Sequence, residues 1–194
     1  TALHPGWGFL SENPDLATAV ESEKWIFIGP TSEQARDLGD KVTARKLAEA
    51  AGVPCTPAWS PEKQEHGDAE PSLEDWTRQS EIIGYPLLVK AVSGGGGKGM
   101  RIVRDSSALK DAIHSARREA LSSFNDDRLF LEKLIEPARH IEVQVVGDGF
   151  GDVAILGDRE CSLQRRHQKL VEEAPAPHIE KDIRQLMHSA AKNL

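Results

Sequence analysis

Cysteine is scarce in this sequence: Cys55 and Cys161 are the only two among 194 residues. Two thiols make no disulfide framework and fit a reducing compartment, and neither has the spaced Cys or His partners of a zinc site. Long apolar runs are lacking too. No stretch approaches the roughly 18 residues a membrane-spanning helix needs, and no secretory signal opens the chain. Basic residues are outnumbered, 24 Lys and Arg against 31 Asp and Glu, for a formal net charge of −7. That balance argues against nucleic acid or an anionic membrane as the main partner, while leaving room for a local positive pocket. There is no internal repeat and no low-complexity tract. Nor is there an initiator methionine; the chain opens Thr1-Ala2-Leu3-His4, and we expect it to be a piece of something longer. Hydrophobic residues at 39% and charged residues at 28% describe an ordinary globular composition with enough chain for one or two domains.

What is abundant is glycine, concentrated in one place. Leu87-Leu88-Val89-Lys90-Ala91-Val92 reads as a β-type run that delivers a lysine. Gly94-Gly95-Gly96-Gly97-Lys98-Gly99 follows, and Met100-Arg101-Ile102-Val103 carries the chain away as a second strand. Such a flap can turn backbone N–H groups onto one anion with no Cβ in the way, and Lys90 and Lys98 add charge. Gly94, Gly96 and Gly99 have the spacing G-x-G-x-x-G, but a dinucleotide fold needs a helix to open where Met100 to Val103 reads as strand. A P-loop needs Ser or Thr after its lysine, where Gly99 stands. A protein-kinase flap fails because the lysine precedes the glycines and neither H-R-D nor D-F-G follows. A nucleotide flap of another kind survives, beside the plainer alternative of a surface turn.

The rest of the chain reads as alternating elements. Asn13-Pro14 begins a helix to about Ser22, and Trp25 to Ile28 is a short buried strand stopped by Gly29-Pro30, together the end of a parallel α/β unit. Thr31 or Ser32 caps a helix ending at Gly39, and Asp40 caps another with Val42, Leu47 and Ala50 on one face. From Trp59 to Ser72 the composition is polar and predicts a loop. Ser72 with Asp75 forms a capping box for a helix to Ile83, and Ser106 or Ser107 starts one with Leu109, Ala112, Ile113, Ala116 and Ala120 at helical spacing. Arg128 to Leu134 is a strand. Ile141, Val143 and Val145 alternate with His140, Glu142 and Gln144, so this strand buries aliphatics on one face and shows hydrogen-bonding groups on the other. Asp148-Gly149 returns it to a partner through Val153 to Leu156, and Ile179 to Asn193 closes the chain as a helix.

A second chemical stretch runs Glu160-Cys161-Ser162-Leu163-Gln164-Arg165-Arg166-His167-Gln168-Lys169. Against an acidic average, this positive cluster is a candidate site for a carboxylate, phosphate or bicarbonate, or else a solvated basic turn.

Together these motifs resemble the biotin carboxylase component of biotin-dependent carboxylases, a branch of the ATP-grasp superfamily. The resemblance rests on His4-Pro5-Gly6-Trp7-Gly8-Phe9-Leu10-Ser11-Glu12-Asn13, Phe27-Ile28-Gly29-Pro30, Gly39-Asp40-Lys41, the Lys90 flap, Glu132-Lys133, Arg139-His140-Ile141-Glu142-Val143-Gln144, and Gln164-Arg165-Arg166-His167-Gln168-Lys169 before Glu172-Glu173-Ala174-Pro175. Ser115-Ala116-Arg117-Arg118-Glu119-Ala120 with Ser123-Phe124-Asn125-Asp126-Asp127 is most similar to acyl-CoA carboxylase α subunits, notably those for methylcrotonyl-CoA and propionyl-CoA.

The resemblance implies an α/β (α+β ATP-grasp) fold in four parts. Residues 1–34 end a parallel α/β N-terminal domain, 35–71 connect by helices and a polar loop, 72–134 form a glycine-flap lid, and 135–194 start the C-terminal ATP-grasp sheet. It implies a ligase that carboxylates biotin, carried on a protein, with bicarbonate and ATP through carboxyphosphate; other ATP-grasp ligases such as carbamoyl-phosphate synthetase, or a non-catalytic nucleotide-binding module, are the alternatives. Lys41, Lys90, Gly96, Gly97, Met100, Glu132, Lys133, Ile135 and His140 match its nucleotide-binding positions. Gln164, His167 and Lys169 match the catalytic anion and biotin end. The family's Mg2+ ligands match no acid here and are expected beyond Leu194, so residues 1–194 alone are expected to be inactive. Implied partners are a biotin carboxyl carrier and a carboxyltransferase, in an oligomer located in the cytoplasm or mitochondrial matrix.

Overall fold

The computed structural model describes residues 1–6, 8, 10–61, 71–94, 97–165 and 168–194. Strands β1 (Ala2–Leu3) and β2 (Ile26–Phe27) pair in parallel. Between them runs α1 (Pro14–Ser22), which starts where Asn13 accepts hydrogen bonds from the Asp15 and Leu16 N–H groups at 2.7 and 3.2 Å. The parallel βα reading stands, but the strand is not buried as expected: Ile26 is 67% exposed. Ala17 and Val20 of α1 are the buried apolar residues of this region, so the strand's other surface meets no described core.

Two helices follow with one residue between them. α2 (Ser32–Gly39) is opened by a capping box between Thr31 and Gln34. Asp40 ends it and caps α3 (Lys41–Ala50), accepting from the Val42 and Thr43 N–H groups at 3.1 and 2.9 Å. Leu47 lies on the exposed side of α3, so the face expected to be apolar is not the one turned inward; Lys41 to Arg45 are better covered.

The second sheet has the order β3-β6-β4-β5, antiparallel throughout, built from β3 (Ala58–Trp59), β4 (Leu87–Ala91), β5 (Met100–Val103) and β6 (Leu129–Lys133). Trp59, expected at the start of a loop, ends β3, because pairing of Ala58 and Trp59 with Glu132 and Leu131 satisfies a backbone that local composition leaves open. Helices α4 (Leu73–Ile83) and α5 (Leu109–Phe124) connect and cover this sheet. The capping box of Ser72 with Asp75 and the stop at Gly84 are those read from the sequence. A turn of 3-10 helix at Ser106–Ala108 precedes α5, and its cap is Asp105, whose carboxylate accepts from the Ser107 N–H at 3.0 Å.

Strand alternation divides this sheet into two faces. Leu87, Val89, Ala91, Val103, Leu129 and Leu131 pack with Trp76 of α4 and Leu109, Ile113, Ala116 and Ala120 of α5. Directly opposed residues share a face, so Lys90 lies with Phe130 and Met100, and Glu132 with Leu88 and Ala58, on the other side. The core therefore fixes which side the polar residues take. In the flap between β4 and β5, the Phe124 ring fills the space a Cβ on Gly94 would need, and a Cβ on Gly99 would stand 2.8 Å from Ala91 Cβ. Glycine is required at both by close approach as well as by positive φ.

The third sheet is an antiparallel meander of β7 (Ile141–Gly147), β8 (Val153–Arg165) and β9 (Gln168–Glu173). Asp148 holds the first turn by accepting from the Phe150 and Asp152 N–H groups. β7 does not bury its aliphatics as expected: Ile141 and Val143 are only partly covered, as is Glu142 between them, Val145 is exposed, and a bulge after Gln144 leaves Leu156 of β8 without a partner in this ladder. β8 extends well past Leu156 and absorbs Glu160 to Arg165, so the described part of the basic cluster lies on two strands. A helix, α6 (Lys181–Asn193), packs beside the meander, its Arg184 and His188 meeting buried Asp158 at 2.9 and 3.0 Å.

Leu131 is fully enclosed at the centre of the core. Leu131→Ala is expected to cost about 2–5 kcal/mol of stability. Urea unfolding followed by tryptophan fluorescence measures it, and a loss below that range would mean that the cavity collapses.

Candidate functional site

The polar face of the second sheet carries the first cluster. Lys90 meets Glu132 Oε2 at 2.6 Å, with its ammonium 5.4 Å from the centre of the Phe130 ring. Glu132 is also reached by Thr56 Oγ1 at 2.8 Å and by Arg45 at 3.6 Å. Burial acts to raise the Glu132 carboxyl, but Lys90, Thr56 and Arg45 outweigh it and hold it below the usual glutamate value. Across the flap root, Lys41 donates to the carbonyls of Val92, at 3.3 Å, and Gly94. Burial pushes the Lys41 ammonium down, and the charge of Lys90 pushes it further. Lys41 and Lys90 thus feel one another's charge; the Asp40 carboxylate acts the other way on Lys41, whose ammonium spends its hydrogen bonds on carbonyls. Any anion placed between them would relieve that repulsion.

Met100 shares this face and Gly97 lies in the flap beside it, whereas Gly96 is outside the described residues. Lys133 belongs to the opposite parity, and its ammonium donates to the carbonyls of Gly84 and Tyr85 at 3.0 and 2.8 Å. Its side chain therefore closes the end of α4; a ligand on the polar face would meet this position through backbone only. Ile135, just past β6, is half exposed.

The second cluster sits on the third sheet. Lys169 pairs with Glu142, which also meets Arg159 at 3.3 Å and His140 at 3.2 Å. Gln164 Nε2 lies 2.8 Å from His140 Nδ1 and donates to the Cys161 carbonyl at 2.9 Å. Gln164 and Lys169 are opposite one another in the β8–β9 ladder. The Glu142 hydrogen bond raises the Lys169 ammonium, and Lys169 and Arg159 hold Glu142 low against the opposing effect of burial. His140, Gln164 and Lys169 are thus brought together, while His167 lies outside the described residues. Cys161 is fully buried, and burial pushes its thiol up, the environment of an inert rather than a nucleophilic sulfur.

Sequence reasoning passed over Arg45, Thr56 and Arg159. Arg159 is reachable by parity, being opposite Glu142, but the pairing of β7 with β8 must be known first. No local signal marks Arg45 or Thr56. The acids do not fit a magnesium ion: Glu132, Glu142 and Asp158 are each engaged by cations, and no group of three or more potential ligands occurs among the described residues. A cavity of about 340 Å3 lies on the helical side of the second sheet, lined by Trp76, Arg117 and Leu129 among others. Asp40, Val92 and Arg128 at the flap root also line it, whereas Lys90 and Glu132 do not.

Comparison with known proteins gives the family. Residues 40–194 match the family described as carbamoyl-phosphate synthase L chain, ATP binding domain, and residues 1–35 match biotin carboxylase, N-terminal domain. The chain belongs to the biotin carboxylase family of ATP-grasp domains. It is 47% identical over 195 residues to a biotin carboxylase of Haemophilus influenzae, covering 99% of this chain and 42% of that one. It is 47% identical over 190 residues to the mitochondrial methylcrotonoyl-CoA carboxylase subunit alpha of Rattus norvegicus, covering 98% and 26%. A biotin carboxylase from Campylobacter jejuni, solved as a β,γ-ATP complex, superposes with a TM-score of 0.89 at 41% identity over 99% of this chain and 42% of that one. The biotin carboxylase domain of Hydrogenobacter thermophilus 2-oxoglutarate carboxylase, solved with MgADP, ADP and bicarbonate, gives 0.87 at 41% identity over 98% and 42%. The chain therefore spans about two fifths of the bacterial biotin carboxylases it matches and about a quarter of the carboxylase subunit.

At the flap root, the Arg128 guanidinium holds the Asp126 carboxyl down at about 2, against an ordinary 3.8. A carboxyl depressed on folding stabilises fully above its unfolded value and loses that contribution as pH falls through the folded one. The difference in melting temperature between the wild type and Asp126→Asn is therefore expected to be constant above about pH 4 and to shrink towards pH 2. A difference independent of pH across that window would show that Asp126 acts without its charge.

Proposed function

We propose that this chain is the central part of an enzyme that carboxylates biotin with bicarbonate and ATP. The observation that carries the reading is the convergence of Lys41 and Lys90 at the root of a glycine flap, where the Lys41 ammonium bonds carbonyls and feels the charge of Lys90. Residues 72–134 act as the lid over the nucleotide. Lys41 and Lys90 hold its phosphates, the flap with Gly96, Gly97 and Met100 covers them, and Glu132, Lys133, Ile135 and His140 line the nucleotide side. Gln164, His167 and Lys169 serve the bicarbonate and biotin end.

In the reaction, a bicarbonate oxygen attacks the γ-phosphorus and ADP leaves with the bridging oxygen. The carboxyphosphate formed then splits to CO2 and phosphate; the phosphate takes the proton of the biotin ureido N–H, and that nitrogen captures the CO2. Negative charge develops on the transferring group, so fixed ammonium groups aimed at it lower the barrier. Lys169, held by Glu142 and backed by Arg159, offers a positioned charge for the bicarbonate anion. A biotin carrier and a carboxyltransferase are the partners this chemistry requires, one presenting the acceptor and the other consuming the product. The carbamoyl-phosphate synthetase alternative is not favoured, because the relatives and the N-terminal match are biotin carboxylases.

Lys90→Gln in the full-length protein is expected to weaken ATP binding by about 1.5–3 kcal/mol, the worth of a charge-assisted hydrogen bond, while Lys169→Gln impairs bicarbonate-dependent ATP cleavage and leaves ATP affinity nearly unchanged. Isothermal titration with ATP and ADP-release assays with and without bicarbonate separate the two. Indistinguishable phenotypes would overturn the division of roles.

A further inference from the structure

Three residues at the flap root, Val92, Ser93 and Gly94, are held from two sides. On one side Val92 N–H donates to the Arg128 carbonyl at 3.0 Å, Ser93 donates to Asp126, and Gly94 lies against the Phe124 ring. On the other side stands the start of α3: Lys41 N–H donates to the Val92 carbonyl at 3.3 Å, and the Lys41 ammonium donates to the Val92 and Gly94 carbonyls. One guanidinium spans both sides. Arg128 Nη2 lies 2.6 Å from Asp126 Oδ2 and 3.4 Å from Asp40 Oδ2, while Arg128 Nε lies 2.9 Å from Asp126 Oδ1.

We propose that Arg128 is a positioning residue that latches the cap of α3 to the flap root, and so holds Lys41 where an anion beneath the flap meets it. Asp40 has two jobs that use different oxygens. Oδ1 caps α3 through Val42 and Thr43, and Oδ2 faces Arg128. Lys41 is the next residue, so the orientation of its first helical turn follows the cap. Asp126 likewise uses Oδ2 for both Ser93 and Arg128. Two carboxylates that share one guanidinium nitrogen attract each other only through it. Without Arg128, they face one another as like charges, and the start of α3 is pushed away from the carbonyls that Lys41 now reaches. Both carboxyls are held below their ordinary values, so both are ionised at neutral pH and the repulsion would be felt there.

The nucleotide arm of the test rests on the proposed function, and the exchange arm does not. Arg128→Met removes the fork but keeps an apolar stem of similar length, and it leaves the Arg128 carbonyl in place for Val92. Asp40→Asn keeps an oxygen to cap α3 but removes the charge facing Arg128. In the nucleotide-free full-length protein, either variant is expected to speed hydrogen exchange at the Lys41 and Val92 amides by about threefold to thirtyfold. The double variant should go no further than the stronger single one, because both break one link. ATP titration should show a weaker Kd by a similar factor, with kcat at saturation little changed. Arg128→Lys, a point charge that cannot hold both carboxylates as a fork, should be intermediate. Arg78→Met, which breaks an Arg–Asp pair of the same kind on α4, serves as control and should leave both amides and the Kd unchanged. Faster exchange confined to 126–128 with the Lys41 amide unmoved, additive effects in the double variant, or wild-type behaviour in Arg128→Lys would each overturn the latch. Should the wild type bind no ATP, the nucleotide reading fails while the exchange result still decides the latch.

Discussion

The antiparallel pairing of β4 with β6 is the constraint on which the site depends. Its register, from Leu87 opposite Lys133 to Ala91 opposite Leu129, sends Val89 and Leu131 into the helical core and leaves Lys90 and Glu132 on the far side. A slip of one residue would exchange the faces, burying the ion pair under α5 and exposing the aliphatics. The aliphatic burial is worth about 1.5–3 kcal/mol per side chain, more than a partly exposed ion pair contributes. Packing sets the register, and the register sets the chemistry.

Electrostatics then distinguish the two clusters. On the third sheet, Lys169 meets Glu142 while Arg159 bridges Glu142 and Glu172, so the side chains hold one another. At the flap root Glu132 answers Lys90 and Arg45, Asp40 and Asp126 share Arg128, and the Lys41 ammonium bonds the carbonyls of Val92 and Gly94. Two ammonium groups that feel one another's charge at the root of a flap are costly unless something negative visits them. The glycines nearby let main-chain donors approach the same visitor.

Much of this was legible locally. Asn13, Thr31, Asp40 and Ser72 each cap the helix that their position announces, because a cap is a short-range hydrogen bond written within four residues. The flap and its two strands were legible for the same reason. Pairings were not. Ala58–Trp59 joins the sheet through residues more than seventy positions away, and nothing near Trp59 declares it. The extension of β8 through Glu160 to Arg165 escaped notice because charged side chains mask strand periodicity when their partners come from other strands. Arg45 and Thr56, which complete the surroundings of Glu132, are of this non-local kind. Burial of Ile26 was expected from its composition alone, and composition does not say what stands opposite.

All six residues of β9 are exposed, and one side of the strand has no neighbour among the described residues. A bare row of amide and carbonyl groups is a template on which a second extended chain can grow, and Leu170 and Val171 add the β-forming apolar content that favours such growth. Lys169 before them and Glu172 and Glu173 after them work against it, since an incoming copy in parallel register must stack like charges at three of six positions. The lysine proposed for bicarbonate is thus also one of three charges that disfavour pairing of this strand with an identical one.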